Sequence, residues 1–444
     1  MKKTIVYIET LGCQMNVADT ERAWTNLREA GYERSDSAAI ADVVIFNSCS
    51  IRERAAHKAF TRIGEIRKQR RGREPLIGMM GCVAQLEGEA LFDYAPNLSF
   101  VAGTRATDRL PDLIARAQAG ESGTIDLGER REGESWTVSP FERHSAHVAF
   151  VPIIEGCNKF CTYCIVPYSR GRERSRDAAE ILRDIATLRE KGFREVHLIG
   201  QNVNSYRSAS TGDLAAYPGA TPFSKLLRAV ALTGIERIKF TTSFPRDFHA
   251  DIVSAIEEHE NLCNWVHLPV QSGSDKVLRL MRRGHSVKNY LERVERIKIS
   301  KRQCSLTSDI IVGFPGETNA DFEDTLKLVE QCQYDGLYIF KYSVRSGTPA
   351  AGFSESVPEE VKTERLQRLE VAQKNNQRHI YQSYIGRKVS VLVEGESSKS
   401  LKDMRGHSTC HKVVNFPSSP HVIGQVMNVQ ITEAKVNSLY GRII

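Results

Sequence analysis

Glu155-Gly-Cys-Asn-Lys-Phe-Cys-Thr-Tyr-Cys-Ile-Val-Pro167 follows directly on the apolar run Val148 to Ile154. A strand that feeds a loop carrying Cys157, Cys161 and Cys164 as CxxxCxxC sets the reading of the whole chain. The loop offers three thiolates. Iron–sulfur cubanes are usually held by four cysteines, so three leave one iron open, and an open position separates a reactive metal site from a structural one. The plainer readings are a zinc knot or reduced core thiols. Zinc favours four ligands, commonly as two CxxC-like pairs, and no second pair lies nearby.

Three further cysteines repeat one arrangement. Cys13 follows the strand-like Thr4-Ile-Val-Tyr-Ile-Glu9, Cys49 follows Asp42-Val-Val-Ile-Phe-Asn47, and Cys82 follows Leu76-Ile-Gly-Met-Met80. Helical patterns at about Ala18 to Ala30 and Ile51 to Lys68 lie between them. Strands alternating with helices imply parallel pairing, and in such sheets the loops at the carboxyl ends converge on one edge. The three thiols are therefore expected to meet, although about 35 residues separate each from the next. Scattered buried cysteines are the competing reading, since free Cys is often a small buried hydrophobe. Again only three ligands are offered, which points to a second cluster with an open iron.

Gly12-Cys-Gln-Met-Asn16, Asn47-Ser-Cys-Ser-Ile-Arg-Glu53, Gly81-Cys-Val-Ala-Gln85 and the run from Gly156 to Glu173 together resemble the methylthiotransferase family of radical S-adenosylmethionine (SAM) enzymes, from Thr4 to Gly441. Tyr163, the ring before the last loop cysteine, fits the same pattern. The stretch Cys49-Ser-Ile-Arg-Glu53 is similar to the branch acting on isopentenyl-adenosine in tRNA, rather than on threonylcarbamoyl-adenosine or a ribosomal protein. The resemblance implies two [4Fe–4S] clusters and SAM as cofactors. Cys157, Cys161 and Cys164 would be catalytic, holding the SAM-cleaving cluster; Cys13, Cys49 and Cys82 would hold the one that carries sulfur. The implied reaction places a methylthio group on C2 of N6-isopentenyl-adenosine immediately 3′ of the anticodon. The implied partners are the tRNA anticodon stem-loop and a reductant such as flavodoxin or ferredoxin, and the chain is expected to act as a monomer. The alternative from another class is a non-catalytic iron–sulfur RNA-binding protein.

The chain has 444 residues, 41% of them hydrophobic, and a formal charge of +7, which suits a polyanionic partner without establishing one. Ten cysteines in this length do not read as a secreted disulfide framework. The apolar run after Met1-Lys-Lys3 contains Glu9 and is too short for a signal peptide, and no stretch reaches the ~18 apolar residues of a membrane span. A cytoplasmic protein with no membrane contact is expected.

The expected class is α/β in three parts. Residues 1–120 form a doubly wound parallel-sheet domain with the auxiliary cluster, and the charged stretch 121–145 reads as a linker. Residues 146–381 alternate strands and helices as a (βα)6 partial TIM-like radical SAM barrel, with strands at Val148–Ile154, Glu195–Ile199, Arg237–Thr241, Trp265–Leu268, Ser305–Ile311 and Gly336–Phe340. The active face should lie at their carboxyl ends, as in complete barrels. Residues 382–444 read as a small all-β, OB-like barrel with strands near Lys388, His411, Gly424 and Ser438. It is similar to the RNA-binding TRAM domain, and from Arg387 onward eight basic residues face four acidic ones. Where that family has Gly-Arg, this chain has Gly406-His407, with Arg405 able to stand in. Arg405 and Lys412 are the candidate phosphate contacts, and removal of this part is expected to leave SAM cleavage intact.

At the barrel's strand ends, Gly200, Gln201, Asn202, Thr242, Ser243, Gln271, Ser272, Asp309 and Gly313 are the candidate SAM contacts, in loops that in radical SAM enzymes hold the methionyl, ribose and adenine parts. Gly313 and Gly316 would let the backbone approach adenine. Ordinary βα-turn chemistry accounts for any one of them equally well. Two basic runs are double-edged. Arg67 to Arg73 could touch RNA or end a solvated helix, and Arg170 to Arg176 could grip an anticodon loop or cap the first barrel helix. His267 and His285 flank the fourth strand without a clear role; Cys263, Cys304, Cys332 and Cys410 read as structural.

Overall fold

The computed structural model describes residues 3–50, 53–69, 74–130, 136–208, 214, 217–398 and 400–444. The basic run Arg67 to Arg73 falls largely outside them. In the N-terminal part, strands β1 (Ile5–Leu11), β2 (Glu33–Arg34), β3 (Val43–Ser48), β4 (Leu76–Gly81), β5 (Phe100–Ala102) and β6 (Thr124–Asp126) form one parallel sheet in the order β2-β1-β3-β4-β5-β6. Every residue of β3, Val-Val-Ile-Phe-Asn-Ser, is buried, as a strand covered on both faces requires. Helices α1 (Gln14–Glu29) and α5 (Leu110–Gln118) cover one face through Trp24, Leu27, Leu113 and Ile114. Helices α2 (Glu53–Gln69), α3 (Cys82–Glu87) and α4 (Ala90–Tyr94) cover the other through Ile63, Ile66, Val83 and Leu91. Chain order reverses between β1 and β3, the place where doubly wound sheets open a crevice.

The described residues of the stretch expected as linker, 121–130 and 136–145, are attached to the fold. Its first residues supply β6, fixed where Arg109 Nη2 donates to Asp126 Oδ1 at 3.0 Å. Beyond it Trp136 and Val138 are buried, and the Arg130 guanidinium lies over the Trp136 ring while donating to Glu155 at 2.6 Å. The charged surface composition concealed these attachments.

The central part has β7 (Val148–Pro152), a short antiparallel pair β8 (Ile154–Glu155) and β9 (Arg174–Ser175), then β10 (Glu195–Ile199), β11 (Arg237–Phe240), β12 (Trp265–His267), β13 (Ser305–Val312) and β14 (Gly336–Lys341). The parallel ladders β7-β10-β11 and β12-β13-β14 are joined by the bridge Ile238↔Leu262 and by Ser243 N–H donating to His267 O. This is an open six-strand barrel with β7 and β14 at its edges. Helices α6 (Val166–Arg170), α7 (Ala178–Glu190), α8 (Pro222–Ala231), α9 (Ala250–Glu258), α10 (Asp275–Leu280), α11 (Val287–Lys298) and α12 (Asn319–Cys332) follow the strands in turn. Asp177 caps α7 by accepting from Ala179 and Glu180 N–H, and Thr318 with Asp321 forms a capping box on α12.

The 24-residue helix α13 (Glu359–Gln382) joins two cores, with Leu369 in the central one and Tyr381 in the next. After it, β15 (Lys388–Ser397), β16 (Ser400–Ser408), β17 (Val413–Pro417), β18 (Val426–Ala434) and β19 (Leu439–Ile443) close a barrel in the order β15-β16-β17-β19-β18. Four strands were expected here. β16 escaped because its inward positions are Met404, Gly406 and Ser408, only one of which is a large apolar residue.

This small barrel seats on the amino ends of the central strands. Arg237, at the start of β11, donates to His407 O at 2.9 Å. His411 stacks on Trp265, the first residue of β12, with centroids 3.9 Å apart. Lys412 bonds Ser305 Oγ at 2.7 Å and Asp335 Oδ1 at 2.5 Å, at the feet of β13 and β14. Lys412 is therefore a buried docking residue and not an RNA phosphate contact, whereas Arg405 is exposed.

Candidate active site

At the opposite, carboxyl end of the barrel lies a cavity of about 300 Å³ whose wall includes all six motif cysteines. Cys13, Cys49 and Cys82 reach it from the carboxyl ends of β1, β3 and β4, and Cys157, Cys161 and Cys164 from the loop after β8. None of the ten cysteines forms a disulfide. Among the described residues no group of three His, Cys, Asp or Glu is drawn together closely enough to hold a metal ion.

The first trio is set by a polar clamp. Asn16 Nδ2 donates to Asn47 Oδ1 at 2.9 Å, and Asn47 Nδ2 donates to Asn16 O and Thr20 Oγ1. Cys13 donates from N and from Sγ to Asn16 Oδ1, each at 3.3 Å. Gly81, at φ +92°, leaves room for this: a Cβ there would stand 2.3 Å from Asn47 Oδ1. Ser48 and Ser50, on either side of Cys49, bury hydroxyls that have no hydrogen-bond partner among the described residues. Such donors suit the sulfur atoms of a bound cluster.

Arg170 joins the two halves of the site. Its Nη2 lies 2.6 Å from Asp19 Oδ2 on α1, and its Nη1 lies 3.7 Å from Glu155. Burial opposes its charge, but Asp19 and the Cys82 sulfur keep it protonated. The basic run thus splits: Arg170 welds domains, and Arg176 is buried against Glu180 and Asp184 of α7. Only Arg172 and Arg174 of that run are exposed. Further seam contacts are Thr104 Oγ1 to Ser169 O at 2.8 Å and Thr241 Oγ1 to Gln14 Oε1 at 3.3 Å. Met15 and Ala18 of α1 pack on Ile199.

The second trio has its own support. Asn202 Nδ2 donates to Cys157 Sγ at 3.1 Å. Arg283 Nη1 stands 3.6 Å from Cys161 Sγ, while its Nη2 holds Pro269 O at 2.6 Å and its guanidinium lies 4.4 Å from the Phe244 centroid. The Lys159 ammonium is held by Asp247. The thiols differ in acidity. A hydrogen bond with Cys49 pulls Cys13 down to about 5 against its burial, with help from Arg170. Burial raises Cys82 and Cys157, and burial then Cys161 push Cys164 to about 12. Metal binding requires thiolates and so would release protons here.

Of the expected SAM contacts, Gly200, Gln201, Asn202, Thr242, Ser243, Gln271 and Asp309 line the same cavity. Gln201 Oε1, Ser243 Oγ and Gln271 Oε1 are buried there with no partner among the described residues, the condition of a polar site built for a polar ligand. Thr242 and Gln271 adopt φ of +68° and +78°; left-handed backbone at a β-branched residue is strained, and such strain collects at functional sites. Ser272 and Gly313 lie off the cavity wall. Ser272 Oγ bonds Thr325 Oγ1 and accepts from Ser274 N–H. Gly313, at φ +71°, faces the Lys362 stem, which a Cβ would meet at 2.3 Å, so its conformation serves packing of α13. Gly316 faces Glu355 and Leu280.

Sequence reasoning missed Asn16, Asn47, Arg170 and Arg283 as parts of the site. The two asparagines stood inside quoted motifs, where a buried amide among apolar residues is itself a signal. Arg170 stood in a basic run read as gripping an anticodon loop or capping a helix, and Arg283 stood outside every motif considered. His267, left without a role, has Nε2 3.5 Å from Asp309 Oδ1. Cys263, Cys304, Cys332 and Cys410 are buried away from the cavity.

Comparison with known proteins divides the chain as its architecture does. The Radical SAM superfamily matches residues 151–329, the uncharacterized protein family UPF0004 residues 5–103, and the TRAM domain residues 382–444. A tRNA-2-methylthio-N(6)-dimethylallyladenosine synthase from Alkalilimnicola ehrlichii is 44% identical over 99% of this chain and 97% of its own. One from Koribacter versatilis is 43% identical over 99% and 98%. Among solved structures, the radical SAM methyltransferase TsrM from Kitasatospora setae aligns with TM-score 0.56 at 13% identity, covering 79% of this chain and 74% of its own. That likeness concerns the fold alone.

Proposed function

The chain belongs to the tRNA-2-methylthio-N(6)-dimethylallyladenosine synthase family of radical SAM enzymes, and from that premise we propose that it inserts a methylthio group at C2 of N6-dimethylallyl-adenosine immediately 3′ of a tRNA anticodon. The observation that carries this reading is the shared cavity: two open trios, on separate domains, face one space of about 300 Å³. Aromatic C–H bonds are beyond acid–base chemistry at neutral pH, so cofactors must carry the hard step while the protein positions it. When bound, the groups at Cys157/Cys161/Cys164 and at Cys13/Cys49/Cys82 would supply the electron for SAM cleavage and the sulfur. A non-catalytic binding module would have no use for three buried, unpaired polar atoms at the strand ends.

The chain's own residues would do the rest. Gln201, Ser243, Gln271 and Asp309 would bind SAM, and Asn202 and Arg283 would stabilise the thiolates of the cleaving cluster through hydrogen bonds to sulfur. Arg170 would hold the two trios at fixed separation. The C-terminal barrel would bind the tRNA backbone through exposed residues such as Arg405. No helix of the described residues is long and apolar enough to cross a membrane; a cytoplasmic monomer served by a flavodoxin or ferredoxin suits the chemistry.

Anaerobic reconstitution tests the reading. About eight irons per chain are expected, four after Cys157, Cys161 and Cys164 are replaced by Ala, with loss of 5′-deoxyadenosine formation. The Cys13/Cys49/Cys82 triple variant should still cleave SAM yet transfer no sulfur to tRNA. A first triple variant that kept eight irons would remove the assignment.

A further inference from the structure

Strand β14 is an edge of the open barrel, hydrogen-bonded only to β13 among the described strands. It presents two large rings, Tyr338 and Phe340, each 52% exposed. They stand two residues apart and so share one face. The register fixes which face. Tyr338 is the cross-strand partner of Asp309, and Phe340 that of Ile311, and parallel partners point the same way. Asp309 lines the cavity. Ile311 packs in a cluster with Phe314 and Tyr163, and Tyr163 lines the cavity too. The Tyr338 ring also meets His267 edge-on, centroids 6.0 Å apart at 79°, and His267 reaches Asp309. The two rings are thus the solvent-facing continuation of the cavity wall, along the side where the barrel has no seventh strand.

Exposed aromatic surface on the rim of a cysteine-lined cavity is costly unless something covers it. The covering chemistry must be flat or apolar, since the face offers ring planes. An unpaired RNA base meets that need, because single-stranded RNA is read by splaying bases onto aromatic side chains. A branched five-carbon substituent meets it as well. We propose that Tyr338 and Phe340 form the subsite for the adenine base and its apolar N6 substituent, making them the residues that tell dimethylallyl-adenosine from plain adenosine. This rests on the tRNA substrate proposed above.

The test uses anticodon stem-loop RNA with and without the N6-dimethylallyl group, titrated onto the reconstituted full-length protein. The parent should prefer the modified RNA. Tyr338→Ala and Phe340→Ala should each shrink that preference about tenfold, the order that a few methylenes in an apolar subsite contribute, and Phe340→Leu should shrink it less. The loss should be the same at low and high salt, since stacking releases no counterions. Undiminished discrimination in both Ala variants overturns the subsite while leaving the RNA reading intact. A parent dimer that Phe340→Ala renders monomeric, with discrimination unchanged, would overturn it equally and make β14 a self-association edge. Failure of the parent to bind either RNA would instead remove the substrate reading on which the subsite rests.

Discussion

The Lys412 ammonium of the C-terminal barrel lies 2.5 Å from Asp335 Oδ1 at the foot of β14, buried between two domains. Burial works against its charge, but Asp335 and the neighbouring Cys410 and Tyr384 hold its pKa above the ordinary lysine value. Removing one partner of such a pair strands the other. Lys412→Ala is expected to destabilise the chain by about 3–5 kcal/mol, read as a lower denaturation midpoint in urea. A raised folded-state pKa means the stabilisation is complete below the unfolded lysine value of about 10.4 and fades as pH rises beyond it. The parent should lose this increment in strong alkali, and the variant should have none to lose.

Truncation after Gln382 follows the same logic on a larger scale. It uncovers Trp265, Arg237 and Asp335, which the small barrel covers or pairs. RNA-independent SAM cleavage is therefore expected to fall along with thermal stability, contrary to the independence that sequence alone suggested. Arg405→Ala, at an exposed site, should instead raise the apparent KM for tRNA without moving the melting temperature.

Arg283 bears on the electron. A cation 3.6 Å from Cys161 Sγ favours the more negative, reduced state of a bound cluster. Arg283→Met should lower the reduction potential, on the order of 60 mV for a tenfold change in the one-electron equilibrium. A redox titration followed by electron paramagnetic resonance checks it, and a potential that stays put or rises contradicts the electrostatic role.

Acid stability should report on Asp321. Although burial raises its pKa, hydrogen bonds from Ser274 and from Thr318 win and hold it at about 2. A depressed carboxylate stabilises the fold above its unfolded value near 3.9 and loses that contribution as pH falls through the folded one. The parent should thus lose roughly 2 kcal/mol between about pH 4 and pH 2, and Asp321→Asn should be flatter over that window in urea denaturation.

What could be read in advance was whatever local pattern dictates. The apolar runs ending at Cys13, Cys49 and Cys82 are strands whose ends gather at one edge, because β1, β3 and β4 lie side by side. The six central strands stand within a few residues of their expected limits. What was hidden depended on partners distant in sequence. Lys412 and Arg170 look like surface cations until Asp335 and Asp19 are placed beside them. β16 carries too few apolar residues to alternate visibly, and Gly313 looked like a ligand-facing glycine because α13 was not in view.

Placing the C-terminal barrel at the floor and the cysteine-lined cavity at the rim turns strand length into a gauge. β13 has eight residues, so floor and rim stand roughly 20–26 Å apart. Any RNA engaging both stations must span that height. A hairpin whose stem falls short of that height can occupy one station or the other, never both together. The enzyme would thereby screen its substrates by reach before it reads a single base.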